Sequence, residues 1–438
     1  MRDFAFPTVV RSRLDTGLAV DVVPIHHLPV ATAFLVIPAG EDTLSEERAG
    51  IAVLAGDALE GGTRRRSGVE LAEALETIGA DLDVGTGWNA TTVSLSCLAD
   101  RLDEALGLLG EMVLEPAFPE AEVARTRGQH LARIQQRSMD PGALASDRAA
   151  REIYAPGEPY GRPLLGSLES VADMGRDSLI GFAESYYRPE GGGLVVAGDV
   201  DPDEVRALAA GIFGGWEGAP PVRSSPKGVA RSLERRIVVV DRPGSVQSEL
   251  RMGHPGAPRN VPRYESLVVA TAVLGGTFSS RLNLNLREKH GFTYGVRSRI
   301  AYRRGPGPFS VVTAVDTAVT ARAVQEAVGE MERYVRDGPT KEEVASARDY
   351  LAGIFPLRLE TTGQVAARVA ELRVYDLPDD TWAGHRERIR AVTRRAATEA
   401  AREHIRPGEL AITVVGDAAA VVPELEGLDL GPVEVHTP

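Results

Sequence analysis

A chain of 438 residues has the length of two to four domains. Its 43% hydrophobic and 25% charged residues are the balance of an ordinary globular protein, and its net charge of −13 argues against nucleic acid or an anionic membrane as the main partner. Cys97 is the single cysteine, which excludes an internal disulfide and a Cys-based zinc site within the chain.

No run of residues is long and apolar enough to span a bilayer, and Met1–Thr8 contain no apolar leader core, so a cytoplasmic protein is expected. The first strand-like runs are Leu18–Pro24 and Ala31–Ile37. A helix over Gly50–Glu60 and another over Val69–Ile78 follow. Then comes a hairpin, Ala80–Gly85 and Ala90–Leu98, turning at Gly85–Asn89. Cys97 shares the Val93 and Leu95 face of that alternation and reads as a small buried hydrophobe. Leu102, Ala105, Leu106, Leu109 and Met112 recur at helical spacing. A further helix begins near Pro119, and a strand at Gly193–Ala197 with a helix from Pro202 closes the first half.

The second half repeats this order: strand Arg236–Asp241, helices Tyr264–Leu274 and Ser279–His290, hairpin Phe292–Val315 and helix Ala318–Val335. It ends with helices from Lys341 and Ala391 and strand Leu410–Val415. Short matches recur in the same order in both halves. Glu60-Gly-Gly-Thr63 answers to Leu274-Gly-Gly-Thr277, Glu122-Val-Ala124 to Glu343-Val-Ala345, and Val196-Ala-Gly-Asp199 to Val414-Val-Gly-Asp417. A duplicated domain follows. The Pro-, Gly- and Ser-rich stretch Glu217–Gly228 reads as the linker, giving domains 1–228 and 229–438. Hairpins with helices segregated from them define an α+β fold, each domain a mainly antiparallel sheet carrying helices.

Gly50-Ile-Ala-Val53-Leu-Ala-Gly56-Asp57, followed by Gly62-Thr63, resembles the active-site helix of the pitrilysin/insulinase (inverzincin) metallopeptidases. That helix has the pattern Gly-x-Ala-His-x-x-Glu-His, in which two His bind zinc and the Glu activates a water. Gly50, Ala52, Gly62 and Thr63 keep the frame. The three chemical positions read Val53, Gly56 and Asp57. The family's third ligand is a Glu on a later helix, and the matching stretch Val123–Arg137 contains no carboxylate. No two of the eight histidines stand at the spacing of a helical zinc pair. Asp57 and Glu60, three apart, could share a helix face and touch an unusual metal. The plainer alternative is an amphipathic helix using Ile51, Val53, Leu54, Ala58 and Leu59.

Gly275-Gly-Thr-Phe-Ser-Ser-Arg-Leu282, continuing to Leu286-Arg287-Glu-Lys-His-Gly291-Phe-Thr-Tyr294, is similar to the second-domain motif of the same family. The family's Arg and Tyr fall on Arg287 and Tyr294. The resemblance implies that this pair reaches a bound peptide near zinc and donates to the scissile carbonyl as negative charge develops. The residues alone also allow a structural reading. Gly291 suits a helix C-terminus, cations crowd the last turn, and Tyr294 would share a core-facing strand side with Phe292, Val296 and Ile300.

Some bacterial members of the family divide the work between two chains, one with the zinc motif and one with the Arg-Tyr pair. The resemblance therefore implies two homologous domains arranged as a clamshell. It implies a non-zinc subunit with no cofactor of its own, a zinc-bearing homologous partner, and an unstructured peptide as substrate. The alternative is an inactive pseudo-peptidase scaffold or peptide-binding homodimer.

Overall fold

The computed structural model describes residues 4–221 and 225–437. It holds two compact units, and each contains a six-stranded sheet. In the first unit the strands are β1 (Val10–Arg13), β2 (Ala19–Pro24), β3 (Val30–Ile37), β4 (Asp81–Thr86), β5 (Thr91–Leu98) and β6 (Gly193–Gly198), in the order β1-β2-β6-β3-β5-β4. In the second they are β7 (Arg236–Asp241), β8 (Gln247–Pro255), β9 (Arg297–Ile300), β10 (Pro308–Asp316), β11 (Ala411–Gly416) and β12 (Val433–His436), in the order β12-β7-β11-β8-β10-β9.

The duplication is visible in the pairing. β2 runs parallel to β6 as β7 runs parallel to β11. β6 is antiparallel to β3 as β11 is to β8, and each sheet continues through antiparallel neighbours to its hairpin edge. The fold is α+β with mainly antiparallel sheets. No helix among the described residues is long and apolar enough to cross a membrane.

The units are not the two contiguous halves. The first comprises Met1–Ile134, Leu164–Ser225 and Ile354–Gly384; the second comprises Gln135–Pro163, Pro226–Gly353 and His385–Pro438. A crossing does fall at Ser225–Pro226, within the expected 217–228 linker, whose residues 222–224 lie outside the described ones. A single boundary at 228 misses the other crossings, because each sheet has two faces to bury.

One face of the first sheet, with Val20, Ala33, Leu35, Val93, Leu95 and Val196, packs on the helices of its own half. The opposite face presents Val23, Val36, Val195 and Ala197 to Val365, Ala366, Val369, Ala370 and Leu372 of the helix Thr362–Val374. Thr361 and Gln364 form a capping box at that helix's start, and the i, i+4 spacing of its apolar residues supplies the packing stripe. Arg373 adds a two-pronged bond to the fully buried Asp21 of β2, with Nε and Nη2 at 2.7 and 2.8 Å from the carboxylate oxygens. In the second unit the corresponding cover on β8 and β11 is the helix Pro141–Ile153, capped by Asp140 and begun by proline. There Arg251 of β8 donates to the Gly142 carbonyl at 2.9 Å and to Ser146 Oγ at 3.1 Å.

Candidate functional site

The Gly50–Thr63 frame is scaffolding. The helix over this stretch is short, Ile51–Asp57, with a 3-10 turn at Leu59–Gly61. Gly50 takes φ 93°, and a Cβ there would lie 2.4 Å from the Leu165 carbonyl oxygen, so only glycine enters the helix this way. The buried Glu41 carboxylate then accepts the N–H groups of Gly50 (3.0 Å), Ala52 (2.9 Å) and Val53 (3.4 Å), satisfying orphan donors at the positive end of the helix. Thr63 closes the frame. Its hydroxyl donates to Glu111 and accepts from the N–H groups of Arg65 at 3.1 Å and Arg66 at 2.9 Å. These residues hold a turn and a helix entry whether or not a metal is bound.

The chemical positions inside the frame do not fit zinc. Val53 is buried and offers no donor atom. Gly56 offers none either, and a Cβ added there would meet Thr86 Oγ1 at 2.3 Å, so β4 occupies the space a longer side chain needs. Asp57 carries the remaining carboxylate, but its Oδ2 lies 2.7 Å from Arg133 Nη1. Arg133 stands on the helix Glu120–Met139, the one that resembles the family's source of the third ligand. A fixed cation thus faces Asp57 where a ligand would be needed.

His130, on the same helix, is fully buried. It donates from Nε2 to the Leu165 carbonyl at 2.8 Å, and its Nδ1 stands 3.8 Å from Asp57 Oδ2. Glu60 lines the same cleft, of about 710 Å³, and its pKa is raised by burial and then by the Asp83 and Asp57 carboxylates. Among the described residues no group of three or more His, Cys, Asp or Glu is placed to hold a metal ion. The unusual-metal reading of Asp57 and Glu60 therefore has no ligand set behind it. Cys97 is buried as its alternation implied, and burial pushes its thiol up to about 11.

The second-half motif is built differently. Residues Asn283–Lys289 form a π-helical segment, a rare geometry that concentrates at functional sites. Leu282 and Leu286 bury its inner face. Arg281 is tied to Glu343 by two bonds, Nε–Oε1 at 2.7 Å and Nη2–Oε2 at 2.8 Å. Arg287 has no such clamp. Its guanidinium lies 3.8 Å from the centre of the Phe278 ring, and the carboxylate nearest it is Glu288, 3.4 Å away.

The segment ends as its sequence suggested, at Gly291 with φ 65°, where the Phe292 N–H returns to the Leu286 carbonyl at 2.8 Å. Beyond it the structure departs from the expected hairpin. β9 starts only at Arg297, and residues 292–296 form a loop. Tyr294 is 99% exposed, so the core-tyrosine reading is wrong: the strand alternation that would have turned it inward is absent.

The loop is nonetheless anchored. Asn283 accepts from the Val296 N–H at 3.1 Å and donates to the Val296 carbonyl at 2.8 Å. Thr313 of β10 donates to Thr293 Oγ1 at 2.9 Å. These anchors were missed at the sequence level. The signal available was a polar Asn283 and Thr313 among apolar neighbours.

Residues 23–167 match the family Insulinase (Peptidase family M16), and residues 173–351 match the Peptidase M16 inactive domain. An uncharacterized zinc protease of Mycobacterium leprae is 29% identical over 372 residues, covering 82% of this chain and 81% of its own length. One from Mycobacterium bovis is 30% identical over 310 residues, covering 70% of each. Among solved structures, a peptidase M16 inactive domain from Pseudomonas fluorescens superposes with a TM-score of 0.87 at 24% identity, covering 94% of this chain and 98% of that one. A protease from Helicobacter pylori does so with a TM-score of 0.86 at 18% identity, covering 94% and 100%. The chain belongs to the insulinase family of peptidases, M16. The name zinc protease is that of the relatives; in this chain the positions that resemble the family's zinc motif read Val53, Gly56 and Asp57.

Proposed function

We propose that this chain is the non-zinc subunit of a two-chain metallopeptidase, acting beside a homologous partner that carries the zinc. The observation behind this reading is Tyr294, an aromatic side chain almost wholly in solvent on a loop anchored by Asn283 and Thr313. Packing does not explain that placement, and a donor held out for a ligand does. Arg287, in the same motif, has no bidentate carboxylate to consume its N–H groups. Together they would donate to the carbonyl of an unstructured peptide as charge develops on its oxygen. That Val53, Gly56 and Asp57 do not fit zinc supports placing the metal in the partner.

The test reconstitutes this chain with a homologous chain bearing an intact His-x-x-Glu-His motif and measures turnover of a flexible peptide. Arg287→Ala and Tyr294→Phe should each lower kcat/KM, by roughly a hundredfold if they serve the oxyanion. Unchanged turnover in both variants would overturn the reading. A native mass showing only a homodimer, with peptide bound and no mixed complex, would support a peptide-binding scaffold instead.

A further inference from the structure

Arg287 is held by an aromatic ring where a neighbouring arginine is held by a carboxylate. Arg281 also lies over a ring, 5.0 Å from the centre of Tyr334, but it gives two N–H groups to Glu343 and a third to the Gly338 carbonyl at 3.1 Å, so most of its donors are spent within the fold. Arg287 instead lies over the Phe278 ring at 3.8 Å. Its Nη1 is buried without a hydrogen-bond partner among the described residues, and Glu288 stands 3.4 Å from its Nη2, outside the close range of a charge-assisted bond. A ring attracts the flat face of a guanidinium through its quadrupole and leaves the N–H edge unpaired. A carboxylate fixes the same group only by taking that edge.

Phe278 itself is 71% exposed, which is an unusual position for a large apolar side chain serving the core. It sits in Gly275-Gly-Thr-Phe-Ser-Ser-Arg-Leu282, where the backbone is fixed on both sides. Gly275 lies so close to β9 that a Cβ would meet the Ser298 nitrogen at 2.6 Å, and Asn283 Nδ2 donates to the Thr277 carbonyl at 3.1 Å. The ring therefore stands on a held backbone, with Arg287 on it.

We propose that Phe278 is the positioning residue of Arg287: it orients the guanidinium for a peptide carbonyl without consuming its donors. This rests on the functional reading above and deepens it by naming what sets the arginine's geometry. A ring in this role predicts that aromaticity matters at residue 278, and that apolar character alone is insufficient.

The experiment uses the full chain in the reconstituted mixed complex, with Phe278→Leu, Phe278→Trp, Arg287→Ala and the double variant Phe278→Leu/Arg287→Ala. Phe278→Leu should lower kcat/KM roughly three- to tenfold, and Phe278→Trp should recover most of that loss. The double variant should be no worse than Arg287→Ala, since the ring acts through the arginine. In the isolated chain, the Arg287 Nε–H resonance should be ordered and ring-current shifted, and both properties should vanish in Phe278→Leu and persist in Phe278→Trp. If Arg287→Ala is impaired while Phe278→Leu is silent, or if the two losses add, Phe278 does not position Arg287 and this proposal alone falls. A silent Arg287→Ala would overturn it together with the functional reading.

Discussion

Arg133 Nη1 lies 2.7 Å from Asp57 Oδ2, a guanidinium set against the one carboxylate among the three residues that resemble the family's zinc motif. The pair replaces an external cation with one belonging to the chain. The position therefore departs from a metal ligand in charge as well as in donor atoms.

Restoring the two histidines should not restore the metal. Val53→His with Asp57→His leaves Arg133 facing the site, and two neutral imidazoles beside a fixed positive charge make a poor site for a divalent cation. Metal analysis after zinc equilibration should find well under one equivalent. Adding Arg133→Glu removes the cation and supplies a carboxylate from the right helix, and zinc content should then rise. Stoichiometric zinc in the first variant would show that Arg133 does not control the site.

Gly56→Ala should destabilise the first unit by about 1–3 kcal/mol, the usual cost of forcing a methyl into a filled space. Thr86 Oγ1 is the obstacle, and its hydroxyl is already paired with Thr91 Oγ1 at 3.0 Å. Urea unfolding measures the loss. The same substitution in a Thr86→Ala background should cost clearly less, because the two sites share one space.

Asn283→Ala should free the Tyr294 loop. It strands the N–H and carbonyl of the fully buried Val296, a loss of about 1–3 kcal/mol. Hydrogen exchange of the amides of residues 292–296 should accelerate while β10 keeps its protection. Uniform acceleration across the second unit would mean global destabilisation instead.

His254 makes the second unit acid-sensitive well above the carboxylate range. Burial, with Arg406 and His404 nearby, lowers its pKa from an ordinary 6.5 to about 3. The neutral ring stacks on Phe309, donates from Nδ1 to the Pro255 carbonyl at 2.9 Å and accepts the Arg406 N–H on Nε2 at 3.0 Å. Unfolding releases it to take up a proton. The contribution is thus fully present above pH 6.5 and is lost as pH falls from there toward 3, at about 1.4 kcal/mol per pH unit between the two values. Denaturation curves at a series of pH values should show about one fewer proton taken up on unfolding at pH 5 in a His254→Gln variant.

Residues whose pattern is local were legible in the sequence. The hairpin β4–β5, strand β7 and the frame from Gly50 to Thr63 were read from alternation, β-branched runs and a motif. β8 was not, because its alternation of Glu249, Leu250, Arg251 and Met252 is short, and His254 interrupts the apolar side. Arg251 and His254 are buried, with their polar atoms paired by groups distant in sequence. Tyr294 was read as strand because its even spacing from Phe292 and Val296 mimics alternation; the anchors that make it a loop come from Asn283 and Thr313. The covering helices escaped for a similar reason. The available hint was β6, Gly193–Gly198, buried at every position, since a strand covered on both faces demands packing partners on both. Which segment supplies the second cover is a long-range fact with no local signature.

That second cover sets a timetable for synthesis. The sheet of the first unit is complete once β6 has left the ribosome, yet Val23, Val36, Val195 and Ala197 stay bare until Thr362–Val374 follows. Through the intervening elongation, at some 5–20 residues per second, the nascent chain carries an unsealed apolar face for many seconds. It is a natural client for a chaperone over that interval, and a chain truncated before residue 362 would remain one permanently.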